Sequence, residues 1–464
     1  MAEQNLTWIT CATGSPYFVD GERDWTPIGH NDAIEWPELA GLFRRRDLPA
    51  VEAHLRWLVA HGVTCLRLMV EYAQGRHRYL ERPVGVAVPA MVQLWDDLFA
   101  LCERTGMRIL LTPVDTFWMW IRWRNHPWNS ANGGPLAHPS RLLLDPDVRA
   151  ATKARLEFMV RRWSGTGALF AWDLWNEIHH AQAEDTADCF PDFIADLSQH
   201  VRQLELDLYG RSHPQTVSLY GPELWKRPDL PLAEPIFRHP DLDFASIHIY
   251  RDGAIDDPKD TVAPALAMGR VVRECLAEIT DARPFLDTEH GPIHAFKDKR
   301  CTLPEAFDDE YFRHMSWAHL ASGGVGGGMR WPNRHPHVLT PGMRRAQAAM
   351  AGFLPLIAWG RFRRVAVDTK ARGFHTFACA DGEQAVVYLL RRGHRLGDGR
   401  VDQTFRTDAQ VAVPMPAGRY DVVSWNPVAG REVTRGEYVA SDGTMRFTDA
   451  DVPGDRAYAV RRCG

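Results

Sequence analysis

Two apolar runs in this 464-residue chain end abruptly in a glutamate. Phe170-Ala-Trp-Asp-Leu-Trp-Asn-Glu-Ile-His179 carries Glu177 directly behind Asn176, and Pro284-Phe-Leu-Asp-Thr-Glu-His-Gly291 carries Glu289. A short apolar run between polar flanks is the pattern of a buried strand, so each acid is delivered to a strand's C-terminal tip. They stand 112 positions apart (289 − 177), room for about three strand-helix units of a (β/α)8 barrel. Two carboxyl groups on neighbouring tips can break a glycosidic bond with retention of configuration, one attacking as a nucleophile while the other gives and then takes a proton. The nucleophile must be ionised, which calls for a cation or hydrogen-bond donors. The acid must keep a proton, which apolar surroundings and the charge of its neighbour favour.

The rest of the chain supplies the frame for such a pair. Over the first 355 or so residues, short apolar strands alternate with segments of helical period, the pattern of parallel β/α units. Strands are predicted at Thr26 to Gly29, Thr64 to Met69, Arg108 to Thr112, Phe170 to Trp175, Val217 to Tyr220, Phe244 to Ile249, Pro284 to Asp287 and Gly327 to Arg330. Helices are predicted at Pro49 to His61, Pro89 to Thr105, Asp147 to Trp163, Pro191 to Tyr209, Thr261 to Thr280 and Pro304 to Ala321, several opening on Pro as helix starts do. The fifth crossover, around Leu230 to Arg238, carries the weakest pattern. After Trp359 the texture turns to short alternating segments such as Ala385 to Leu390 and Arg419 to Trp425, which is all-β spacing. The expectation is an α/β fold: a (β/α)8 TIM barrel over residues 1–360, then a β-sandwich over 361–464. The cluster Gly323-Gly-Val-Gly-Gly-Gly328 leads into the eighth strand, where small residues permit tight turning.

In such a barrel the active site forms at the C-terminal ends of the strands. His30 and Asn31 follow strand one, Arg67 and Glu71 belong to strand two, and Asp115 follows strand three. His248 and Tyr250 end strand six, His290 accompanies Glu289 on strand seven, and Trp331 follows strand eight. Arg67 and the Tyr250 hydroxyl could hold Glu289 ionised; a structural ion pair for Arg67 and a core position for His248 are the open alternatives. Asp173 and Asp287 alternate away from the catalytic direction or sit before the tip, and both read as strand-end hydrogen-bonding groups. The segment Phe117-Trp-Met-Trp-Ile-Arg-Trp-Arg-Asn-His-Pro-Trp128 holds Trp118, Trp120, Trp123 and Trp128. Indole faces stack on sugar rings, so Trp118, Trp120 and Trp128 are expected to bind substrate, with core packing open as the role of about half the cluster.

Trp175-Asn-Glu177, His248-x-Tyr250 and Glu289-x-Gly291 together resemble the retaining glycosidases of clan A, most of all glycoside hydrolase family 5 and its cellulase-like relatives. The resemblance spans the barrel and takes in Leu66-Arg-Leu68, Asn132-Gly-Gly-Pro-Leu136 and Trp331. It implies Glu177 as acid/base, Glu289 as nucleophile, Asn176 as ligand of the sugar 2-hydroxyl, and Tyr250 and Arg67 as partners of the nucleophile. Ile178 stands where family 5 usually has Pro, and the His common near the third strand has no obvious counterpart.

Composition sets the outer bounds. Hydrophobic residues at 45% and charged residues at 24% are ordinary for a globular chain. A net charge of −5 without a long basic run leaves no footprint for nucleic acid or an anionic membrane surface. No stretch approaches the roughly 18 apolar residues of a membrane span, and Met1-Ala-Glu-Gln-Asn-Leu6 lacks a signal pattern, so cytoplasmic residence is expected. The eight cysteines are scattered, predicting neither a zinc site nor a disulfide framework. His179-His180 and His335-Pro-His337 lack a complete ligand set, so no metal and no cofactor are expected. The predicted activity is retaining hydrolysis of small glycosides or oligosaccharides, with exo action and a carbohydrate as the partner. A transglycosylase using the same glutamates and a non-catalytic carbohydrate-binding barrel are the alternatives. Sugar, linkage and oligomeric state are not written in the sequence.

Overall fold

The computed structural model describes residues 45–71, 79–178, 188–281, 283–292, 303–331 and 339–464, with the backbone alone of 18–19, 22–23, 29–31 and 118. Parallel strands β1 (Gly29–Asn31), β2 (Cys65–Met69), β3 (Arg108–Thr112) and β4 (Leu169–Asp173) pair in sequence order. β5 comes in two pieces, Gln215–Thr216 on β4 and Ser218–Tyr220 on β6 (Ala245–Ile249), which in turn pairs with β7 (Phe285–His290). The eighth position is a bridge between His290 and Arg330 rather than a strand. Its departure from the predicted Gly327 to Arg330 has a local cause: Gly326 and Gly328 have φ of 67° and 78°, which extended backbone does not allow. This is a (β/α)8 barrel.

Side-chain alternation along the strands separates two apolar populations. Leu66, Leu68, Ile109 and Leu111 face the helices in the main core, whereas Cys65, Leu110, Phe170, Ala171, Phe244, Leu286, Val325 and Met329 pack together as a second cluster. The surrounding helices are α1 (Leu48–Ala60), α2 (Pro89–Thr105), α3 (Thr116–Ile121), α4 (Pro146–Trp163), α5 (Phe190–Tyr209), α6 (Pro222–Lys226), α7 (Ala233–Phe237), α8 (Ala263–Glu278), α9 (Glu305–Ala321) and α10 (Pro341–Phe353). Local chemistry sets several of their starts. Asp145 accepts from the Asp147 and Val148 amides at 2.9 and 3.2 Å ahead of Pro146, and Thr340 accepts from Met343 at 3.1 Å ahead of Pro341. The weak fifth crossover is the pair of five-residue helices α6 and α7.

Residues 365–462 form one curled antiparallel sheet: β8 (Val365–Ala366), β9 (Lys370–Ala371), β10 (Phe374–Ala380), β11 (Gln384–Arg391), β12 (Thr407–Pro414), β13 (Gly418–Asn426), β14 (Arg431–Ser441), β15 (Thr444–Val452) and β16 (Asp455–Arg462). Its order is β8-β10-β11-β16-β13-β14-β15-β12-β9. One set of side chains, among them Val387, Leu389, Val411, Tyr420 and Met445, packs within the sheet's own cluster. The opposite set joins the barrel core: Trp317 of α9 stacks on Tyr388 with ring centroids 5.9 Å apart, and Trp425 donates its indole N–H to the Ala349 carbonyl at 3.2 Å. A buried polar staple adds direction, with Arg313 of α9 and Tyr388 both donating to Asp455 Oδ2, at 2.9 and 3.0 Å. No described helix is long and apolar enough to cross a membrane. Of the cysteines, Cys65, Cys102, Cys189, Cys275, Cys379 and Cys463 are free thiols.

Candidate active site

The site is organised around a buried cation. Arg67 lies between Leu66 and Leu68 on β2, so alternation turns it away from the helices, and it is fully buried. Its guanidinium donates to Asp173 Oδ2 through Nη2 at 2.6 Å and Nε at 3.1 Å, to Asn176 Oδ1 at 2.6 Å, and to Glu289 Oε2 at 3.2 Å. Burial alone would lower its pKa, but the charges of Asp173 and Glu289 more than offset that and hold it raised. Asp173 also accepts from Thr112 Oγ1 and Ser218 Oγ, each at 3.1 Å. The expectation that Asp173 points away from the chemistry is therefore corrected: it shares strand parity with the inward Ala171 and is the main counter-ion of Arg67.

Glu289 stands at a bulge in the pairing of β7 with β6, between Asp287 and Glu289. Tyr250 donates its hydroxyl to Oε1, Arg67 donates to Oε2, and His248 Nδ1 lies 3.6 Å from Oε2. Burial pushes the carboxyl above its usual range and the charge of Glu177 adds to this, while His248, Arg67 and Tyr250 pull it back. Beneath it, Asp287 accepts from the Glu289 amide at 3.2 Å and pairs with His290 Nδ1 at 2.7 Å. His319 Nε2 accepts the Asp287 amide at 3.3 Å while its Nδ1 donates to the Gly326 carbonyl at 2.9 Å. A Cβ at Gly328 would stand 2.9 Å from Asp287 Oδ2, which with the positive φ explains part of the glycine run.

Glu177 is reached by an abrupt turn at the end of β4. Its φ is +49°, a left-handed conformation that a side chain disfavours, held by a 3.3 Å hydrogen bond from its amide to Ser218 Oγ. Such outliers concentrate where surrounding structure over-determines a functional geometry. Glu177 Oε1 lies 2.8 Å from His248 Nδ1. One oxygen of Glu177, one of Glu289 and a ring nitrogen of His248 lie within 4.8 Å of one another. These three could also ligate a divalent ion, although the Arg67 guanidinium already sets a positive charge against Glu289. Both glutamates are buried but keep a few per cent of their surface exposed. Asn176 Nδ2 donates to Asp115 Oδ1 at 2.9 Å, and Trp175 directs its indole N–H to Thr116 Oγ1 at 2.5 Å, fastening α3 to the segment after β4 that carries Glu177.

The structure thus brings together Arg67, Asp115, Asn176, Glu177, His248, Tyr250 and Glu289. Trp331 lies beside them, its amide donating to the His290 carbonyl at 2.9 Å, and is mostly buried. His30 is placed by its backbone opposite Leu66, and its side chain, like that of Trp118, lies outside the described residues, as do His179, His180, His335 and His337. Trp128 is a correction. It is fully buried, donates its indole N–H to Glu81 at 2.8 Å and touches Arg155, so no face is left for a sugar. Glu71 also leaves the dyad for this cluster, pairing with Arg155 at 2.5 Å. Gly134 of the Asn132 loop seals it, since a Cβ there would fall 2.1 Å from the Trp128 backbone. Trp123 is partly buried and stacks on His126, whereas Trp120 keeps 37% of its surface exposed and meets His138 edge-on. Sequence reasoning placed a strand at Val217 to Tyr220 but missed two of its residues for the site: Ser218, which donates to Asp173 and accepts from the Glu177 amide, and Tyr220, a half-buried ring 5.7 Å from Tyr250 at the tip of β5.

No family model matches the chain. Over 265 residues it is 26% identical to mannan endo-1,4-beta-mannosidase 2 of Arabidopsis thaliana, covering 51% of this chain and 59% of the relative. The chain resembles the clan A glycoside hydrolases of family 5. A family 5 glycoside hydrolase from Bacteroides vulgatus superposes over 100% of this chain and 95% of its own, with a TM-score of 0.58 and 12% identity. A family 5, subfamily 18 structure from Streptomyces cattleya, in complex with Manβ1-4GlcNAc, covers 70% of this chain and 80% of its own, with a TM-score of 0.52 and 14% identity. At these identities the structural likeness establishes the family 5-like fold. The chain spans about three-fifths of the plant relative it matches.

Proposed function

We propose that this chain is a retaining β-glycosidase that hydrolyses small glycosides or short oligosaccharides by double displacement, acting at the chain end. The observation that carries this reading is the approach of Glu177 and Glu289 to within 4.8 Å. It favours retention, for which carboxyl groups stand about 5 to 5.5 Å apart, over inversion, which needs about 6.5 to 9.5 Å to admit a water. Glu289 attacks the anomeric carbon while Glu177 transfers its proton to the departing glycosidic oxygen, leaving a glycosyl ester on Glu289. With that carboxylate consumed, Glu177 takes a proton from water, which displaces the ester and regenerates both acids. Asn176 meets the 2-hydroxyl, Arg67 and Tyr250 hold Glu289 ionised, His248 orients Glu177, and Trp120 and Trp331 provide apolar surface for sugar rings.

A β-mannoside is the first substrate class to test. The plant relative is named as an endo-acting mannosidase of mannan, which supports a β-mannosidic bond, and the Streptomyces cattleya structure holds a mannose-containing disaccharide, which supports a short substrate. Residues 1–360 are proposed as the catalytic unit and 361–464 as a β-sandwich whose halves close over their own apolar cluster while bracing α9 and α10. Glu177→Gln and Glu289→Gln should each abolish hydrolysis of aryl β-mannosides and β-glucosides, and an activated 2-fluoro sugar should leave a covalent adduct on Glu289. Full activity in either variant would refute the reading.

A further inference from the structure

Asn176 is held from both ends. Its Oδ1 accepts from Arg67 at 2.6 Å and its Nδ2 donates to Asp115 Oδ1 at 2.9 Å. Turning the amide over would set its oxygen against a carboxyl oxygen and its hydrogens against a guanidinium, so the flanking groups select one orientation. Asp115 is well placed for this, because a parallel backbone bridge pairs it with Asn176 and the Asn176 amide donates to the Val114 carbonyl at 2.9 Å. Oδ1 also accepts from the Phe117 amide at 3.1 Å, which fixes the carboxyl plane.

The fold uses one oxygen of this acid twice, at the start of α3 through the Phe117 amide and at Asn176. Asp115 is 7% exposed, and its Oδ2 has no hydrogen-bond partner among the described residues. The groups whose charges act on it are Glu177 and Glu289, with Arg67 the cation among them. A buried polar atom without a partner is destabilising, which an apolar side chain of similar size would avoid. An acid here does two things leucine cannot: it receives the Phe117 amide at the start of α3, and it receives the Asn176 N–H, the one of the two that reaches the dyad's surroundings.

We propose that Asp115 is a positioning residue: by accepting one Nδ2 hydrogen, it sets the Asn176 amide so that the other meets the sugar hydroxyl beside the anomeric carbon. The inference rests on the glycosidase reading above and deepens it at this one contact. Hydrogen bonds to the 2-hydroxyl strengthen in the transition state, so Asp115 acts on turnover through Asn176 without touching the reacting atoms.

The test compares kcat/KM for an aryl glycoside and its 2-deoxy analogue in the full-length wild type, Asp115→Leu, Asp115→Asn and Asn176→Ala, with thermal melts as the check of folding. In the wild type, loss of the 2-hydroxyl should reduce kcat/KM about ten- to a hundredfold. Asp115→Leu and Asn176→Ala should lose a similar factor on the hydroxylated substrate and distinctly less on the 2-deoxy substrate, so that the ratio of the two kcat/KM values falls towards one. Asp115→Asn keeps an acceptor oxygen and should recover part of the discrimination; it serves as the primary variant if the leucine protein does not fold. Equal losses on both substrates, or no loss on either, overturn the assignment. Failure of the glycosidase reading looks different: Glu177→Gln and Glu289→Gln would then retain hydrolysis of the hydroxylated substrate.

Discussion

Replacing Tyr250 by Phe isolates one contact of the nucleophile. The phenol hydroxyl donates to Glu289 Oε1, while Arg67 and His248 both approach the other oxygen. Phe retains the ring and its packing 5.7 Å from Tyr220, so only the O–H is lost. A hydrogen bond to a charged group contributes about 1.5–3 kcal/mol, which corresponds to about a ten- to hundredfold fall in kcat/KM. The pH profile gives the sharper readout. Glu289 is already raised, first by burial and then by the charge of Glu177, and Tyr250 is one of the groups that lower it. Without that donor the carboxyl rises further, the fraction ionised falls at any acidic pH, and the acid limb of kcat/KM against pH moves towards neutrality. Steady-state rates on an aryl β-glycoside between pH 4 and 9 would measure it. An acid limb in the original place, with activity reduced by one factor at every pH, would show that the hydroxyl acts on substrate rather than on the nucleophile.

Other outcomes follow from single features. Ala in a left-handed conformation is disfavoured by about 1–2 kcal/mol, against about 0.4–1 kcal/mol lost to the freedom of unfolded Gly. At the +49° φ of Glu177, inactive Glu177→Gly should therefore melt above inactive Glu177→Ala, and the reverse order would remove the strain argument. Asp115 is raised from 3.8 to about 7, chiefly by burial and then by Glu177. Its unfolded form ionises first, so it withdraws stability as pH rises through that window, by roughly 4 kcal/mol at most. Asp115→Asn should accordingly raise the melting temperature at pH 8 and leave it nearly unchanged at pH 4. Trp128→Ala should cost about 3–5 kcal/mol in a denaturant melt with little change in KM. Trp120→Ala should do the opposite, raising KM a few-fold while stability stays within about 0.5 kcal/mol. Chelator treatment should leave kcat/KM unchanged, and Zn2+ should inhibit in competition with substrate by bridging Glu177, His248 and Glu289; activity lost to chelator and restored by metal would contradict the cofactor-free mechanism.

Much of the frame was legible because it is written locally. Apolar runs of strand length alternate with helical periods, and Asp145-Pro146 and Thr340-Pro341 mark helix starts by hydrogen bonds that reach only three residues. The same local logic placed Glu177 and Glu289 behind buried strands and Arg67 on strand two. It failed where a side chain's role depends on a partner far along the chain. Trp128 looked like its neighbours in a tryptophan-rich loop, but Glu81 and Arg155, from other segments, bury it. Asp173 read as a strand-end hydrogen-bonding group because its partner lies on another strand; the approach of β2 makes it the counter-ion of Arg67.

The sequence by itself determined which residues could be acids, cations or stacking faces, and which end of each strand they occupy, because side-chain direction follows from periodicity along one element. Tertiary structure decided how they pair. Closure of the barrel sets Arg67 between Asp173 and Glu289, brings Glu177 and Glu289 within 4.8 Å, and turns Glu177 into a conformation that no local preference favours. Distances between strand tips depend on the relative placement of all the strands, and a pattern read within one strand carries no record of that.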